Sequence, residues 1–207
     1  MEWVVNSPDK CNAFILAREG YDVWMGNNRG SKYGTYHKTL KTDDLAFWDF
    51  YQEDMGRKDL PAFIDTVLDK TGLESISYVG HSEGTTQFFL GASLFPDYFK
   101  QRINVSVLLA PVAKTTHITT KSIQDAAPFV YDVEKTLKLL GIYNLLPPQP
   151  LGSKVFDTVC GIPILKAVCK DIEGLVMDRE IMNIDRMPEF FSFMPSGAGY
   201  RTFVYYA

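Results

Sequence analysis

Ser75-Ile76-Ser77-Tyr78-Val79-Gly80-His81-Ser82-Glu83-Gly84 runs from a short apolar stretch into a glycine-bracketed turn. The residue pattern predicts a strand over Ser75 to Gly80 and a helix over Glu83 to Leu94. That junction is where a Gly-x-Ser-x-Gly corner has to sit if its serine is a nucleophile. The turn is too tight for side chains on its flanks, so glycine is needed at 80 and 84. The bend lifts the Ser82 hydroxyl clear of the sheet edge. It also turns the backbone N–H of Glu83 toward a developing oxyanion, helped by the positive end of the helix. A bare match to the pattern arises by chance in many chains; the strand before it and the helix after it give it weight. The competing reading is a strand-to-helix turn whose serine only caps the helix.

Composition narrows the classes. The chain has 207 residues, enough for one domain with a sizeable core, or one domain and a small appendage. Hydrophobic residues make up 46% and charged residues 22%, the balance of a globular protein in water. A net charge of -4 and a pI near 5.4 give no basic footprint for nucleic acid. No apolar run approaches the roughly 20 residues that span a bilayer. The start, Met1-Glu2-Trp3-Val4-Val5-Asn6, lacks the segments of a signal peptide. None of the three cysteines is in a Cys-x-x-Cys pair, so no zinc or other metal site is expected. Cys160 and Cys169 flank a stretch with Gly161 and Pro163; they read either as closing a small loop or as two buried free thiols.

Outward from the corner, helix and strand alternate. Asn12 to Glu19 reads as a helix ended by Gly20, and Tyr21 to Gly26 as a strand running into the turn at Asn27 to Gly30. Leu60, Phe63, Ile64, Val67 and Leu68 form an apolar stripe at helical spacing, with Asp59 as its cap, Pro61 in its first turn and Gly72 past its end. Asn104 to Pro111 reads as a strand buried on both faces. Alternation of this kind implies a mostly parallel sheet flanked by helices, an α/β class. It stops near Lys114, which sets the expected division: a core over 1–113 and a helical cap or lid over 114–207. In the second part Phe129, Val130, Val133, Leu137 and Leu140 make one amphipathic face closed by Gly141, and Pro147 to Pro150 is a rigid break. Met177, Met182, Met187, Phe190, Phe191, Phe193 and Met194 read as a greasy entrance for acyl chains, or simply as the cap's own core.

These residues together resemble the acid lipases, the gastric and lysosomal lipase family of α/β hydrolases. The resemblance rests on Ala13 to Ala17, Gly20 to Gly30, Phe47-Trp48, Asp59 to Asp65, Tyr78 to Thr86 and Leu109 to Ala113, in family order and spacing. The second half is similar more loosely, through Cys160 and Cys169 and through Pro195-Ser196-Gly197-Ala198-Gly199. The resemblance implies a partial α/β-hydrolase fold and hydrolysis of neutral-lipid esters, acylglycerols or steryl esters, through an acyl-serine intermediate and without a cofactor. Ser82 would be the nucleophile and the Glu83 N–H one oxyanion donor. Glutamine is usual where Glu83 stands; a role that uses only the backbone tolerates the change, and a carboxylate suits a helix start. The resemblance also implies a Cys160–Cys169 cap disulfide, contact with a lipid–water interface, and a secreted or lysosomal location.

The resemblance further implies elements that this sequence does not show: a strand ending in His-Gly, expected between the Tyr21 to Gly26 strand and the corner strand, and a later triad Asp and His. The expectation is therefore an incomplete version of a longer lipase, with near-zero turnover of its own. His37 reads as a solvated loop residue, His81 as turn support, and His117 as a weak substitute base. Asp171, Asp178 and Asp185 read as solvated or helix-capping groups, and Asn104-Val105-Ser106 as an unused glycosylation sequon. Two alternatives stand beside the lipase reading. One is a capped serine esterase of small esters; the other is a non-catalytic lipid-binding or interaction relic of a lipase.

Overall fold

The structure, a computed structural model, describes residues 3–117, 124, 127–145, 186, 193 and 196–206. By internal contacts the chain divides into two compact units: Met1–Met25 with Leu146–Ser196, and Gly26–Leu145 with Gly197–Ala207. The Cys160 and Cys169 pair, the Pro147 to Pro150 break and Asp171, Asp178 and Asp185 lie outside the described residues. So does the expected greasy entrance, apart from Phe193.

In the first unit, helix α1 spans Asn12–Arg18. It ends as the sequence predicts, with Gly20 at φ 91. Cys11, a free thiol, is buried at its start. Tyr21 to Gly26 does not form the expected strand: the segment has no ladder partner among the described residues, and Tyr21, Trp24 and Met25 are exposed. An apolar alternation becomes a strand only when another backbone takes up its N–H and C=O groups.

The second unit is built around one long helical run and a two-stranded parallel sheet. The run starts at α2, Gln52–Asp54, where Asp54 Oδ2 accepts the Tyr51 N–H at 3.2 Å. It passes through a π-helical turn, Met55–Asp59, into α3, Leu60–Thr71. The π turn lies directly before Pro61, whose ring would crowd the carbonyl four residues back and which has no N–H to give. Asp59 is therefore inside the run, not at its cap. Its carboxylate instead takes the Arg29 guanidinium, with Nε at 2.8 Å and the Arg29 N–H at 3.1 Å. Gly72 at φ 72 closes α3 and donates to the Leu68 carbonyl at 2.8 Å.

Strand β1, Ile76–His81, leads into α4, Glu83–Leu94; α5, Pro96–Arg102, then returns the chain to β2, Ile103–Leu109. The two strands pair in parallel from Ile76 with Ile103 to His81 with Leu109. Leu60 and Ile64 of the predicted stripe, with Phe99 of α5, form one apolar core. Phe47, Trp48, Phe50, Met55 and Tyr200 form another. At Gly56 and Gly91 the π turn and α4 nearly touch: a Cβ on Gly91 would lie 2.7 Å from the Gly56 carbonyl oxygen. Strand β2 is not buried on both faces. Val105, Val107 and Leu109, which share one face by the strand's two-residue period, are 54%, 45% and 37% exposed.

Helix α6, Val130–Leu139, corrects the amphipathic reading. Only Leu137 of the expected apolar face packs on a core, while Phe129, Val133 and Leu140 are exposed. Glu134 is the buried residue, because Lys138 and Arg201 both reach its carboxylate, at 2.8 and 3.4 Å. Arg201 belongs to α7, Tyr200–Tyr205, which the Tyr200 N–H ties to the Tyr143 carbonyl at 3.0 Å. No helix among the described residues is long and apolar enough to cross a membrane.

Candidate active site

The corner between β1 and α4 holds one of the two non-glycine residues at positive φ among the described residues. Ser82 has φ 49 and ψ -114, a region that residues with a Cβ rarely enter. Of the two flanking glycines only Gly80 is required by space: a Cβ on Gly84 would meet nothing nearer than the Tyr78 hydroxyl at 3.4 Å, so the expected need for glycine there is not borne out. A Cβ on Gly80 would stand 3.1 Å from the backbone of Gly84 and 2.8 Å from the Tyr78 ring. Tyr78 fills the inside of the bend and donates its hydroxyl to the Gly84 carbonyl at 2.8 Å. Burial pushes its phenol up to about 12.

The bend is fixed from both sides. The Ser82 N–H donates to the Leu109 carbonyl at 3.0 Å, tying the corner to the end of β2. The Ser82 carbonyl accepts from the Thr85 N–H at 2.9 Å and from the Thr85 hydroxyl at 2.6 Å. Thr85 Oγ1 in turn accepts the Val112 N–H at 2.9 Å, and the Thr86 hydroxyl donates to the Val112 carbonyl at 2.8 Å. The two buried threonines thus fasten the first turn of α4 to the loop after β2, where Ala110 is also at positive φ, 45. The sequence held a hint of this: threonine pairs inside a helix are disfavoured unless their hydroxyls find backbone partners.

Ser82 is exposed, and its hydroxyl does not cap α4. The reading of Ser82 as a simple helix cap therefore fails. Glu83 is the first residue of α4, so its N–H has no partner within the helix and points out at the positive end of the helix. The Glu83 side chain departs from expectation. It does not present its charge to solvent; Gln52 Nε2 donates to its Oε1 at 3.0 Å, and burial raises its carboxyl above the ordinary range.

No histidine or aspartate hydrogen-bonds Ser82 Oγ among the described residues. His37 is exposed and uses Nδ1 to accept the Thr39 and Leu40 N–H groups at 3.2 and 2.9 Å, organising its own loop. His81 and His117 are exposed. Among the described residues no three His, Cys, Asp or Glu side chains gather as a metal site. The arrangement holds one serine hydroxyl out over a strand-to-helix corner with an amide proton beside it.

Comparison with known proteins gives this corner a context. A family model described as alpha/beta hydrolase fold matches residues 7–137. Across 99% of its length the chain is 34% identical to Lipase lipl-1 of Caenorhabditis elegans, covering 51% of that protein. It is 32% identical to the gastric triacylglycerol lipase of Rattus norvegicus and 34% identical to the lysosomal acid lipase/cholesteryl ester hydrolase of Homo sapiens, again covering 51% of each. The chain spans about half the length of these relatives.

Proposed function

Because this chain belongs to the alpha/beta hydrolase fold family, we propose that it carries the nucleophile of a carboxylic ester hydrolase acting on neutral-lipid esters. Ser82 Oγ adds to the ester carbonyl carbon, the ester C–O bond breaks and the hydroxyl proton ends on the departing alcohol, leaving an acyl-serine that water hydrolyses to the free acid; the Glu83 N–H donates a hydrogen bond to the oxyanion that forms on the carbonyl oxygen. One donor of that kind is worth about 10²–10³ in rate. The observation that carries the reading is the backbone of Ser82: exposed, at φ 49, and held there by bonds to Leu109 and Thr85. Strain of that sort persists only where the surroundings impose it, and a hydroxyl displayed by it serves chemistry better than packing. The substrate class follows from relatives whose names specify triacylglycerol and cholesteryl ester. The Cys160–Cys169 disulfide, the lipid–water contact and the secreted or lysosomal setting belong to the same proposal.

A fluorophosphonate probe tests it, because such probes label only an activated serine. Labelling at Ser82, abolished in Ser82→Ala, is the expected result. A folded chain that stays unlabelled, yet binds an acylglycerol, would favour the lipid-binding relic instead.

A further inference from the structure

The reading above gives Glu83 work only for its backbone, yet its side chain is turned inward and held. Gln52, with no exposed surface, donates one amide proton to Glu83 Oε1 at 3.0 Å and the other to the Thr202 carbonyl at 2.9 Å. The Thr202 carbonyl fixes which end of the Gln52 amide is nitrogen, since the reverse would set two acceptors face to face. Gln52 Oε1 is then left buried with no donor among the described residues. Buried acceptors without a donor are uncommon and call for an explanation. The Thr202 hydroxyl is spent on the Gly199 carbonyl at 2.7 Å. Glu83 as a carboxylate has no proton to give. As a carboxylic acid it has one O–H beside the oxygen that already accepts from Gln52.

We propose that Gln52 and Glu83 form a reciprocal acid–amide clamp, with Glu83 neutral and its O–H donated to Gln52 Oε1, which positions the Ser82 corner. The clamp ties the first residue of α4 to α2 and, through Thr202, to α7. Its effect on Ser82 chemistry rests on the proposed nucleophile; the clamp itself does not. Burial disfavours the Glu83 carboxylate, and the Gln52 hydrogen bond pulls the other way with less effect. The surrounding titratable groups supply no countercharge. Glu53 and Asp54 of the α2 helix are paired with Arg57 and Lys58. The Tyr206 hydroxyl goes to Thr86 Oγ1 at 3.3 Å and lies against the Gln52 side chain as well; burial pushes it up to about 12, with the nearby Glu83 acting in the same direction. His81 stands on the same turn and is exposed.

Rising pH removes the clamp's proton. The carboxylate then faces an acceptor, and a negative charge sits on the residue whose N–H serves the oxyanion. A carboxyl whose folded-state value lies above the ordinary 4.5 contributes stability below that value and loses it as pH climbs through the folded value. Glu83→Gln replaces the acid by an amide, which keeps one donor and one acceptor toward Gln52 but does not titrate.

Thermal melting of the 207-residue chain and of E83Q, from about pH 4 to about pH 8, reads the clamp directly. The melting temperature of the parent should fall relative to E83Q as pH rises. The infrared carbonyl band of a protonated carboxyl should persist in the parent after exposed carboxyls have ionised, and be absent in E83Q. Parallel melting curves, or no such band, overturn the clamp. Fluorophosphonate labelling of Ser82 reads the positioning. The ratio of parent to E83Q rates should fall about tenfold per pH unit above the pH at which the melting difference sets in; a constant ratio overturns the positioning role. If neither protein labels at any pH while the melting difference stands, the clamp holds and the nucleophile reading falls.

Discussion

Replacing Ser82 by glycine should stabilise the protein while removing the proposed nucleophile, and the size of the gain follows from the backbone. Ser82 sits at φ 49 and ψ -114. A residue with a Cβ pays about 1–3 kcal/mol there, and glycine is free of most of that strain. Against it stands the extra freedom of glycine in the unfolded chain, about 0.5–1 kcal/mol. The net gain for Ser82→Gly is about 0.5–2 kcal/mol. Ser82→Ala keeps the Cβ and the strain, and with no hydrogen bond to Ser82 Oγ among the described residues it should melt close to the parent. For a chain of this length 1 kcal/mol moves the melting temperature by about 2–4 °C. The glycine variant should therefore melt roughly 1–8 °C above the alanine variant, with fluorophosphonate labelling lost in both. Because the two variants differ only by a methyl group, their comparison isolates backbone strain from the loss of the hydroxyl. A glycine variant that melts at or below the alanine variant refutes the claim that Ser82 is held under strain.

Three further perturbations probe what holds the corner. Gly91→Ala would place its Cβ 2.5 Å from the Phe99 ring and 2.7 Å from the Gly56 carbonyl oxygen, so α4 must shift; denaturant titration should show a loss of about 1–3 kcal/mol. Thr85→Val keeps the shape but removes the acceptor of the Val112 N–H and a donor to the Ser82 carbonyl. A loss of about 1–3 kcal/mol is expected, together with slower labelling of Ser82. Tyr78→Phe removes the bond to the Gly84 carbonyl, costing about 1 kcal/mol near neutral pH. The Tyr78 phenol is held neutral to about 12 in the folded chain against 10.0 unfolded, so its stabilising contribution disappears as pH rises through that window. The gap between parent and Tyr78→Phe should narrow in denaturation curves taken between about pH 10 and about pH 12; a constant gap would contradict the assigned burial.

What sequence alone determined was local. Gly80 before Ser82, with an apolar run leading in and a helix former following, marks a sharp strand-to-helix corner, and α4 begins at Glu83 and ends at Leu94 as expected. Gly20 and Gly72 ended their helices because each occupies a left-handed conformation open to glycine. Leu60 and Ile64 pointed to the core because their spacing is helical. What only the tertiary structure decided was pairing between distant residues. Asp59 has the sequence of a cap but sits inside a continuous helix, and Arg29, far off in the chain, claims its carboxylate. Tyr21 to Gly26 and β2 have the composition of central strands; whether such a segment pairs, or is covered on both faces, depends on other backbones and not on its own residues. Thr85, Thr86 and the Gln52–Glu83 pair escaped a linear reading for the same reason: a hydrogen bond between side chains remote in sequence has no periodicity to betray it. Local sterics are written residue by residue, whereas long-range partners exist only once the chain has closed on itself.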